Sequence, residues 1–105
     1  MMNKYLRFDE TINKTLISEM SKNSKIVYYG LGADDSSRIF NTTIGLKEKF
    51  GNIRVFDTPI SENAMTGTAV GMCLNGFSVI MSHQRMDFFL LAMDQLVNSA
   101  SKWNF

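Results

Sequence analysis

Apolar residues recur along the first part of the chain at the spacing of a helix. Ile12, Leu16 and Met20 stand four residues apart, and the positions between them are mostly polar. Residues at this spacing share one face of an α-helix, so the pattern predicts an amphipathic helix over residues 9–22. Asp9, a residue type common at the start of helices, is predicted to be its N-cap.

Three short runs further along the chain are rich in β-branched and aromatic residues, which favour strands. They cover residues 25–30, 53–58 and 77–82. Gly30, Pro59 and polar residues end these runs, as expected for short buried strands. We therefore predict three strands.

Helical patterns alternate with these strands. A short helix is predicted over residues 43–50, with Gly51 as its C-cap. A longer helix is predicted over residues 61–74, with Ser61 as its N-cap. A wide apolar face predicts a last helix over residues 87–102.

The alternation of strands and helices predicts an α/β fold. Such chains form a parallel sheet with right-handed crossovers, and the apolar strands indicate that both faces of the sheet are covered. We expect three layers, a parallel sheet with helices on both faces. Three strands make a narrow sheet, so the fold is expected to be incomplete.

Composition limits the class of protein and its partners. The chain has 105 residues, enough for one domain, and a net charge of +1, which provides no basic surface for nucleic acid. Its first ten residues lack the apolar core that a signal peptide has, and the sequence contains no run of about 20 apolar residues for a membrane helix. We expect a cytoplasmic protein without nucleic-acid or membrane partners. The single cysteine, Cys73, lies on an apolar stripe and is predicted to be an inert core thiol.

Functional residues are expected in the loops that follow the strands, because ligands of parallel sheets bind there. Glu62 follows the second predicted strand. It has a structural explanation, since the helix dipole favours a carboxylate in the first turn by about 0.3–1 kcal/mol. The same position also suits a catalytic carboxylate, and the local pattern leaves both interpretations open.

The loop after the third strand holds His83, Gln84, Arg85 and Asp87. Here too a structural explanation is available: a solvated histidine and a surface ion pair worth less than about 1 kcal/mol. Taken alone, the residues indicate a polar site at the strand ends without identifying a reaction.

The segment "RVFDTPISENAMTGTAVGMCLNGFSVIM", residues 54–81, resembles a known family. It is similar to the pyrimidine-binding domain in beta subunits of thiamine-diphosphate-dependent 2-oxoacid dehydrogenases of the pyruvate and branched-chain type, in the transketolase-like superfamily. The likeness extends to "VYYGLGADDSSRIFNTTIGLKEKFG" and "MDQLVNSASK". It implies that residues 1–105 form the N-terminal part of a single pyrimidine-binding domain.

The resemblance implies a catalytic role for Glu62. The family's glutamate hydrogen-bonds a ring nitrogen of the aminopyrimidine and promotes ylid formation for the oxidative decarboxylation of a 2-oxoacid. Phe88 matches the position of an aromatic ring that lies against the aminopyrimidine. Ile60 and Gln84 fall near the cofactor-contacting wall.

Two departures from the family pattern concern the site. Leu31 replaces an acid that common beta subunits carry after the first strand, which puts a proton relay in doubt. The segment "SHQRMDF" replaces an aromatic and apolar pattern. His83 and Arg85 are therefore substrate-side candidates, with Arg85 able to clamp a carboxylate.

The resemblance also implies partners. The family's diphosphate and magnesium ligands lie on an alpha-type subunit, so no metal site is expected in this chain, and the isolated chain is expected to be inactive. We expect an alpha–beta heterotetramer with a second beta subunit, and a lipoyl acyltransferase core as a further partner. Gly67, Gly71 and the last helix are candidate contacts. Two alternatives are a transketolase-like enzyme with the same cofactor and a truncated, non-catalytic subunit-interaction module.

Overall fold

Strands and helices alternate in the computed structural model, which describes residues 5–103. The strands are β1 (Ile26–Gly30), β2 (Val55–Phe56) and β3 (Ser78–Ser82). The helices are α1 (Phe8–Lys22), α2 (Leu46–Phe50), α3 (Glu62–Leu74) and α4 (Met86–Phe89), followed by a 3₁₀ turn (Leu90–Ala92) and a π-helix (Gln95–Ala100).

The three strands form one parallel sheet in the order β2-β1-β3. Tyr28, at the centre of β1, lies opposite Val55 in β2 and opposite Ile80 in β3. The predicted α/β class and the parallel sheet are confirmed. The second strand is shorter than predicted, because a turn precedes it: the backbone N–H groups of Arg54 and Val55 both donate to the carbonyl of Gly51.

One face of the sheet is covered by α1 and α2. Tyr28 and Val55 point to this face and pack in a buried cluster with Leu16 and Met20 of α1 and Leu46 of α2. These side chains come from four different elements, so burying them fixes α1 and α2 against the sheet.

The opposite face is covered by α3. Val27 and Tyr29 alternate with Tyr28 along β1 and pack against Met65, and Phe56 stacks on the Tyr29 ring with 5.1 Å between ring centroids. The Tyr29 hydroxyl donates a hydrogen bond of 2.7 Å to the Met65 carbonyl. The three predicted layers are therefore present, with the sheet in the middle.

Two predicted helix starts are wrong. Arg7, not Asp9, is the N-cap of α1, because the Glu10 carboxylate accepts from the Arg7 backbone N–H and so places the cap two residues earlier. The helix predicted from residue 43 begins only at Leu46, because a different structure occupies the preceding residues.

That preceding structure is a left-handed turn over residues 38–41. Arg38, Ile39, Phe40 and Asn41 have φ angles of 49°, 44°, 53° and 70°. A left-handed residue with a side chain costs about 1–2 kcal/mol, so the turn needs outside support. The Asp35 carboxylate supplies part of it by accepting from the Arg38 backbone N–H at 3.0 Å.

The last helical segment differs from the single regular helix predicted over residues 87–102. It consists of α4, the 3₁₀ turn and the π-helix, and it contacts α3 rather than the sheet. Ala92 is fully buried, whereas Leu90 and Leu91 are 68% and 61% exposed. Most of its predicted apolar face therefore points outward. Among residues 5–103, no helix combines the length and the apolar character that a membrane crossing requires.

Candidate functional site

The loops that follow the three strands lie together at one edge of the sheet. Gly30 ends β1 directly opposite Ser82, and an added Cβ at Gly30 would overlap the Ser82 carbonyl and hydroxyl oxygens. An added Cβ at Gly32 would likewise overlap the Gln84 amide. The loop after β1 therefore approaches the loop after β3 as closely as only glycine permits.

Glu62 is the first residue of α3 and follows the loop that leaves β2 at this edge. It is only 7% exposed. Its backbone carbonyl accepts a 2.9 Å hydrogen bond from the Thr66 hydroxyl, which lies 3.8 Å from the Met81 sulfur in β3. This contact places the first turn of α3 over the end of β3.

The Glu62 carboxylate has no hydrogen-bond or ion-pair partner among residues 5–103. The two carboxylate oxygens are not fully enclosed, so they keep some contact with solvent. The dipole of α3 favours a carboxylate in this first turn by about 0.3–1 kcal/mol. The carboxylate can therefore begin the helix and also accept a hydrogen bond from a ligand.

Several polar atoms at the same edge are enclosed without a partner within the described chain. They are the hydroxyls of Thr58, after β2, and of Ser82, at the end of β3, and both ring nitrogens of His83. The His83 ring packs edge-on against Phe89, with 5.9 Å between centroids. Carboxylate, hydroxyl and imidazole together offer both donors and acceptors to a polar ligand.

The remaining predicted site residues divide into half-buried and exposed ones. Gln84 and Phe88 are half-buried, and the Phe88 backbone N–H donates to the Arg85 carbonyl at 3.2 Å. Arg85 is exposed and lies 3.6 Å from the Asp87 carboxylate. Ile60 is 83% exposed. Within this chain, Glu62, His83 and Gln84 thus lie at the enclosed part of the edge, whereas Ile60 and Arg85 face solvent.

Leu31 has a structural role in place of the missing acid. It is half-buried and packs against the cluster of Val27, Tyr29 and Met65. An acid at this position would point into apolar surroundings, which penalise an ionised group. The loop after β1 therefore contributes packing to the site and no titrating group at this position.

Thr58 and Phe89 were not among the predicted site residues. Thr58 lies within the quoted segment, at the end of the strand predicted over residues 53–58 and two residues after β2, so its position was the available signal, but a threonine there is also an ordinary residue of a strand end or loop. Phe89 gave no separate signal because it adjoins Phe88 at the start of a helix. Only the fold shows which of the two rings meets His83.

Cys73 is a correction to the sequence analysis, because it is exposed rather than buried in the core. It lines an apolar cavity of about 370 Å³ between α3, β3 and the π-helix, together with Val79, Leu96 and Trp103. The sheet has no described strand beyond β3, so the last turn of α3 is left uncovered there.

Charged residues of the loop after β1 and of α2 form ion pairs with one another. Asp34 pairs with Lys47 and, at 3.3 Å, with Arg38, which also pairs with Glu48 at 2.9 Å. The Lys47 hydrogen bond, with the nearby charge of Arg38, holds the pKa of Asp34 below its ordinary value. No group of three or more His, Cys, Asp or Glu side chains suited to a metal ion occurs within residues 5–103.

Comparison with known proteins relates the chain to one family. The family model described as "Transketolase, pyrimidine binding domain" matches residues 4–105. The pyruvate dehydrogenase E1 component subunit beta of Acholeplasma laidlawii is 40% identical over 93 residues, which cover 89% of this chain and 28% of the relative.

Two further relatives give the same result. The 2-oxoisovalerate dehydrogenase subunit beta of Bacillus subtilis is 32% identical over 97 residues, covering 92% of this chain and 30% of the relative. The mitochondrial pyruvate dehydrogenase E1 component subunit beta of Pisum sativum is 34% identical over 102 residues, covering 97% and 28%. The chain therefore spans less than a third of the length of these relatives, and the resemblance to dehydrogenase beta subunits is confirmed.

Proposed function

Since this chain belongs to the transketolase pyrimidine-binding domain family, we propose that it binds the aminopyrimidine ring of thiamine diphosphate. It does so as part of the beta subunit of a 2-oxoacid dehydrogenase. The similarity to pyruvate and 2-oxoisovalerate dehydrogenase beta subunits supports this substrate class.

The observation that carries the proposal is the buried residue Glu62 at the start of α3, whose carboxylate has no hydrogen-bond or ion-pair partner within residues 5–103. In the proposed complex, a carboxylate oxygen of Glu62 accepts a hydrogen bond at a ring nitrogen of the aminopyrimidine and shares its proton. Thiamine diphosphate, when bound, supplies a thiazolium carbon that adds to the 2-oxoacid carbonyl and an electron sink for decarboxylation. The protein contributes the Glu62 carboxylate, which holds the shared proton at one of its oxygen atoms in a site from which water is excluded.

The other residues of the edge position the ring and the substrate. Phe88 offers an aromatic face to the aminopyrimidine, and Gln84 is held against Gly32, where its amide can hydrogen-bond the ring. His83 is proposed on the substrate side, because its unpartnered nitrogens can hydrogen-bond a carboxylate or carbonyl. Arg85 is the candidate carboxylate clamp, which requires it to leave its exposed pairing with Asp87.

Ile60 has a different proposed role. It is exposed two residues before the start of α3, so it can cover the cofactor only in the assembled enzyme. In that assembly, the Ile60 side chain packs against a surface of the partner subunit, and this contact keeps water away from Glu62.

The rest of the active site is proposed to come from partners. An alpha-type subunit binds the diphosphate and its magnesium ion, and two such subunits assemble with two beta subunits into a heterotetramer, with a lipoyl acyltransferase core as a further partner. Gly71 is open on α3, whereas Gly67 already contacts Gln95 within the chain, so Gly71 is the better candidate contact. We place the complex in the cytoplasm and expect the isolated chain to be inactive.

The substitution Glu62→Gln in the assembled enzyme tests the proposal. We expect decarboxylation to fall at least about 100-fold, the low end for losing a group that transfers a proton. Glu19→Gln is the matched control, because Glu19 is exposed on α1 and pairs only with Lys22. Near-normal decarboxylation by Glu62→Gln would exclude Glu62 as the catalytic carboxylate.

One observation favours a second function, that of a non-catalytic subunit-interaction module. Leu31 occupies the position of the family's acid and is packed among apolar side chains. Titration calorimetry with thiamine diphosphate, with and without an alpha-type subunit, separates the two functions. Cofactor binding that needs both chains supports the enzyme, whereas assembly of the two chains without cofactor binding supports the module.

A further inference from the structure

The loops after β1 and β3 meet beside Gly32, and two polar side chains approach this residue from the same side. An added Cβ at Gly32 would lie 2.1 Å from the side-chain nitrogen of Gln84 and 2.8 Å from Oδ2 of Asp35. Gly32 also has a φ angle of 80°, a left-handed value that favours glycine. The Gln84 amide therefore occupies space that a side chain at position 32 would fill.

The two carboxylate oxygens of Asp35 have different neighbours. Oδ1 accepts hydrogen bonds from the Ser37 N–H at 2.9 Å, the Ser37 hydroxyl at 2.6 Å and the Arg38 N–H at 3.0 Å. The Asp35 N–H also donates to the Gly32 carbonyl at 3.3 Å. Because the side-chain hydrogen bonds of Asp35 within residues 5–103 all use Oδ1, Oδ2 is left to face Gly32 and Gln84.

The charge of Asp35 favours one orientation of the Gln84 amide. The two ends of an amide have nearly the same size, so neighbouring groups decide which end points where. A carboxylate attracts the NH₂ end, which donates, and repels the oxygen, which accepts. The Gln84 nitrogen accordingly lies on the side of Asp35, and its Oε1 oxygen is the end that remains for a ligand.

An oxygen presented at this edge selects ligands that donate a hydrogen bond. Oε1 of Gln84 carries no proton and can only accept. In an aminopyrimidine the ring nitrogens accept, apart from the proton shared with Glu62, and the exocyclic amino group supplies the remaining N–H donors. The amino group is therefore the part of the proposed ligand that the Gln84 oxygen can recognise.

We infer that Gln84 determines specificity for the exocyclic amino group of the aminopyrimidine, and that Asp35 is the positioning residue that directs the Gln84 oxygen towards it. This inference rests on the proposed function, because it takes the aminopyrimidine as the ligand. It adds a residue of the loop after β1 to a site whose other polar groups follow β2 and β3.

Binding of two cofactors to the assembled enzyme tests the inference. Titration calorimetry gives the Kd of thiamine diphosphate and of oxythiamine diphosphate, in which an oxygen replaces the exocyclic amino group. Asp35→Asn keeps one oxygen for the Ser37 and Arg38 bonds and places an NH₂ group where Oδ2 was. Gln84 should then turn its oxygen inward, and the preference for thiamine diphosphate should fall about 10-fold, close to the effect of one lost hydrogen bond.

Two further variants separate the role of Asp35 from a general effect of charge. Asp34→Asn is the matched control, because Asp34 is an acid of the same loop that pairs with Lys47 and Arg38 instead. Its preference between the two cofactors should equal that of the unsubstituted enzyme. Gln84→Ala should lower the preference as Asp35→Asn does, and adding Asp35→Asn to it should change the preference no further.

Nuclear magnetic resonance of the isolated chain provides a readout that needs no cofactor. Rotation of the Gln84 amide changes the surroundings of its two side-chain protons, so their resonances should shift in Asp35→Asn and stay in place in Asp34→Asn. Gln84→Ala leaves the hydrogen bonds of Asp35 intact, so it tests the specificity even if Asp35→Asn fails to fold.

The results distinguish this inference from the function on which it rests. An assembled enzyme that binds neither cofactor would overturn both. Binding of thiamine diphosphate with a preference that neither Asp35→Asn nor Gln84→Ala alters would overturn the inference alone. An equal loss of preference in Asp34→Asn and Asp35→Asn would also overturn it, since the net charge of the loop would then explain the effect.

Discussion

The Tyr29 hydroxyl donates a 2.7 Å hydrogen bond to the Met65 carbonyl, and this bond joins the central strand to the first turns of α3. Met65 lies one turn after Glu62, so the bond helps to fix the helix that carries the candidate catalytic carboxylate. Both partners are buried. The orientation of the helix that carries Glu62 therefore depends on a residue of β1.

Tyr29→Phe is predicted to lower the free energy of unfolding by about 0.5–1.5 kcal/mol, the usual net value of one hydrogen bond. The ring can keep its stacking on Phe56. Urea denaturation followed by circular dichroism measures the change. Tyr5→Phe is the control, because Tyr5 is fully open to solvent. Equal stability of both variants would show that the Tyr29 hydroxyl contributes nothing.

Gly30→Ala and Gly71→Ala are predicted to change stability in opposite directions. A methyl group at Gly30 would overlap Ser82 backbone and side-chain oxygens, and overpacking of this kind costs about 1–3 kcal/mol. Gly71 lies within α3 and has no atom within 4 Å of an added Cβ. Alanine there should stabilise the helix by about 0.5–1 kcal/mol.

Thermal unfolding of the two glycine variants provides the measurement. A lower melting temperature for Gly30→Ala and a higher one for Gly71→Ala are expected. If Gly71→Ala retains its stability in isolation but weakens binding of an alpha-type subunit, the open side of α3 is a partner contact. A stable Gly30→Ala variant would show that the loops after β1 and β3 do not approach as described.

The ion pairs of Asp34 predict a dependence of stability on pH. Lys47 and Arg38 hold the pKa of Asp34 below its ordinary value of 3.8 in the folded chain. A carboxyl group with a lowered folded-state pKa stabilises the protein above its unfolded-state pKa, and this contribution is lost as the pH falls through the folded-state value. The stability due to Asp34 should therefore be complete above about pH 4 and decline below it.

Lys47→Met should reduce this acid dependence, because it removes the strongest partner of the Asp34 carboxylate. Urea midpoints measured between neutral and acidic pH would reveal the change. Lys14→Met serves as the control, since Lys14 is exposed on α1. A Lys47→Met variant with the acid dependence of the unsubstituted chain would contradict the assignment.

Local sequence rules predicted the elements of the sheet and most of the helices around it. Apolar runs located β1 and β3, and the spacing of Leu16 and Met20 located the buried face of α1. The left-handed turn was not predictable, because Arg38 and Phe40 have side chains that disfavour positive φ. Ile39 of that turn packs with Leu16 and Met20 of α1, and local patterns do not contain such a distant contact.

The candidate site was predictable only in part. The family motif predicted a catalytic role for Glu62, whereas the burial of this residue emerged only from the fold. The sequence analysis predicted that Cys73 lies in the core and that the last helix has a wide apolar face, whereas Cys73 and Leu90 are exposed. An apolar stripe in the sequence indicates which side chains favour burial. It does not show whether other parts of this chain or another chain bury them.

Glycine substitutions are expected to have an unusual effect on stability in the left-handed turn at residues 38–41. Glycine normally weakens a structured segment, but here it would remove a steric penalty that every side chain carries. Phe40, which is 71% exposed, would lose little packing in such an exchange. We expect glycine and asparagine to be well tolerated at position 40, whereas Ile39 is held by its burial and Arg38 by its ion pairs.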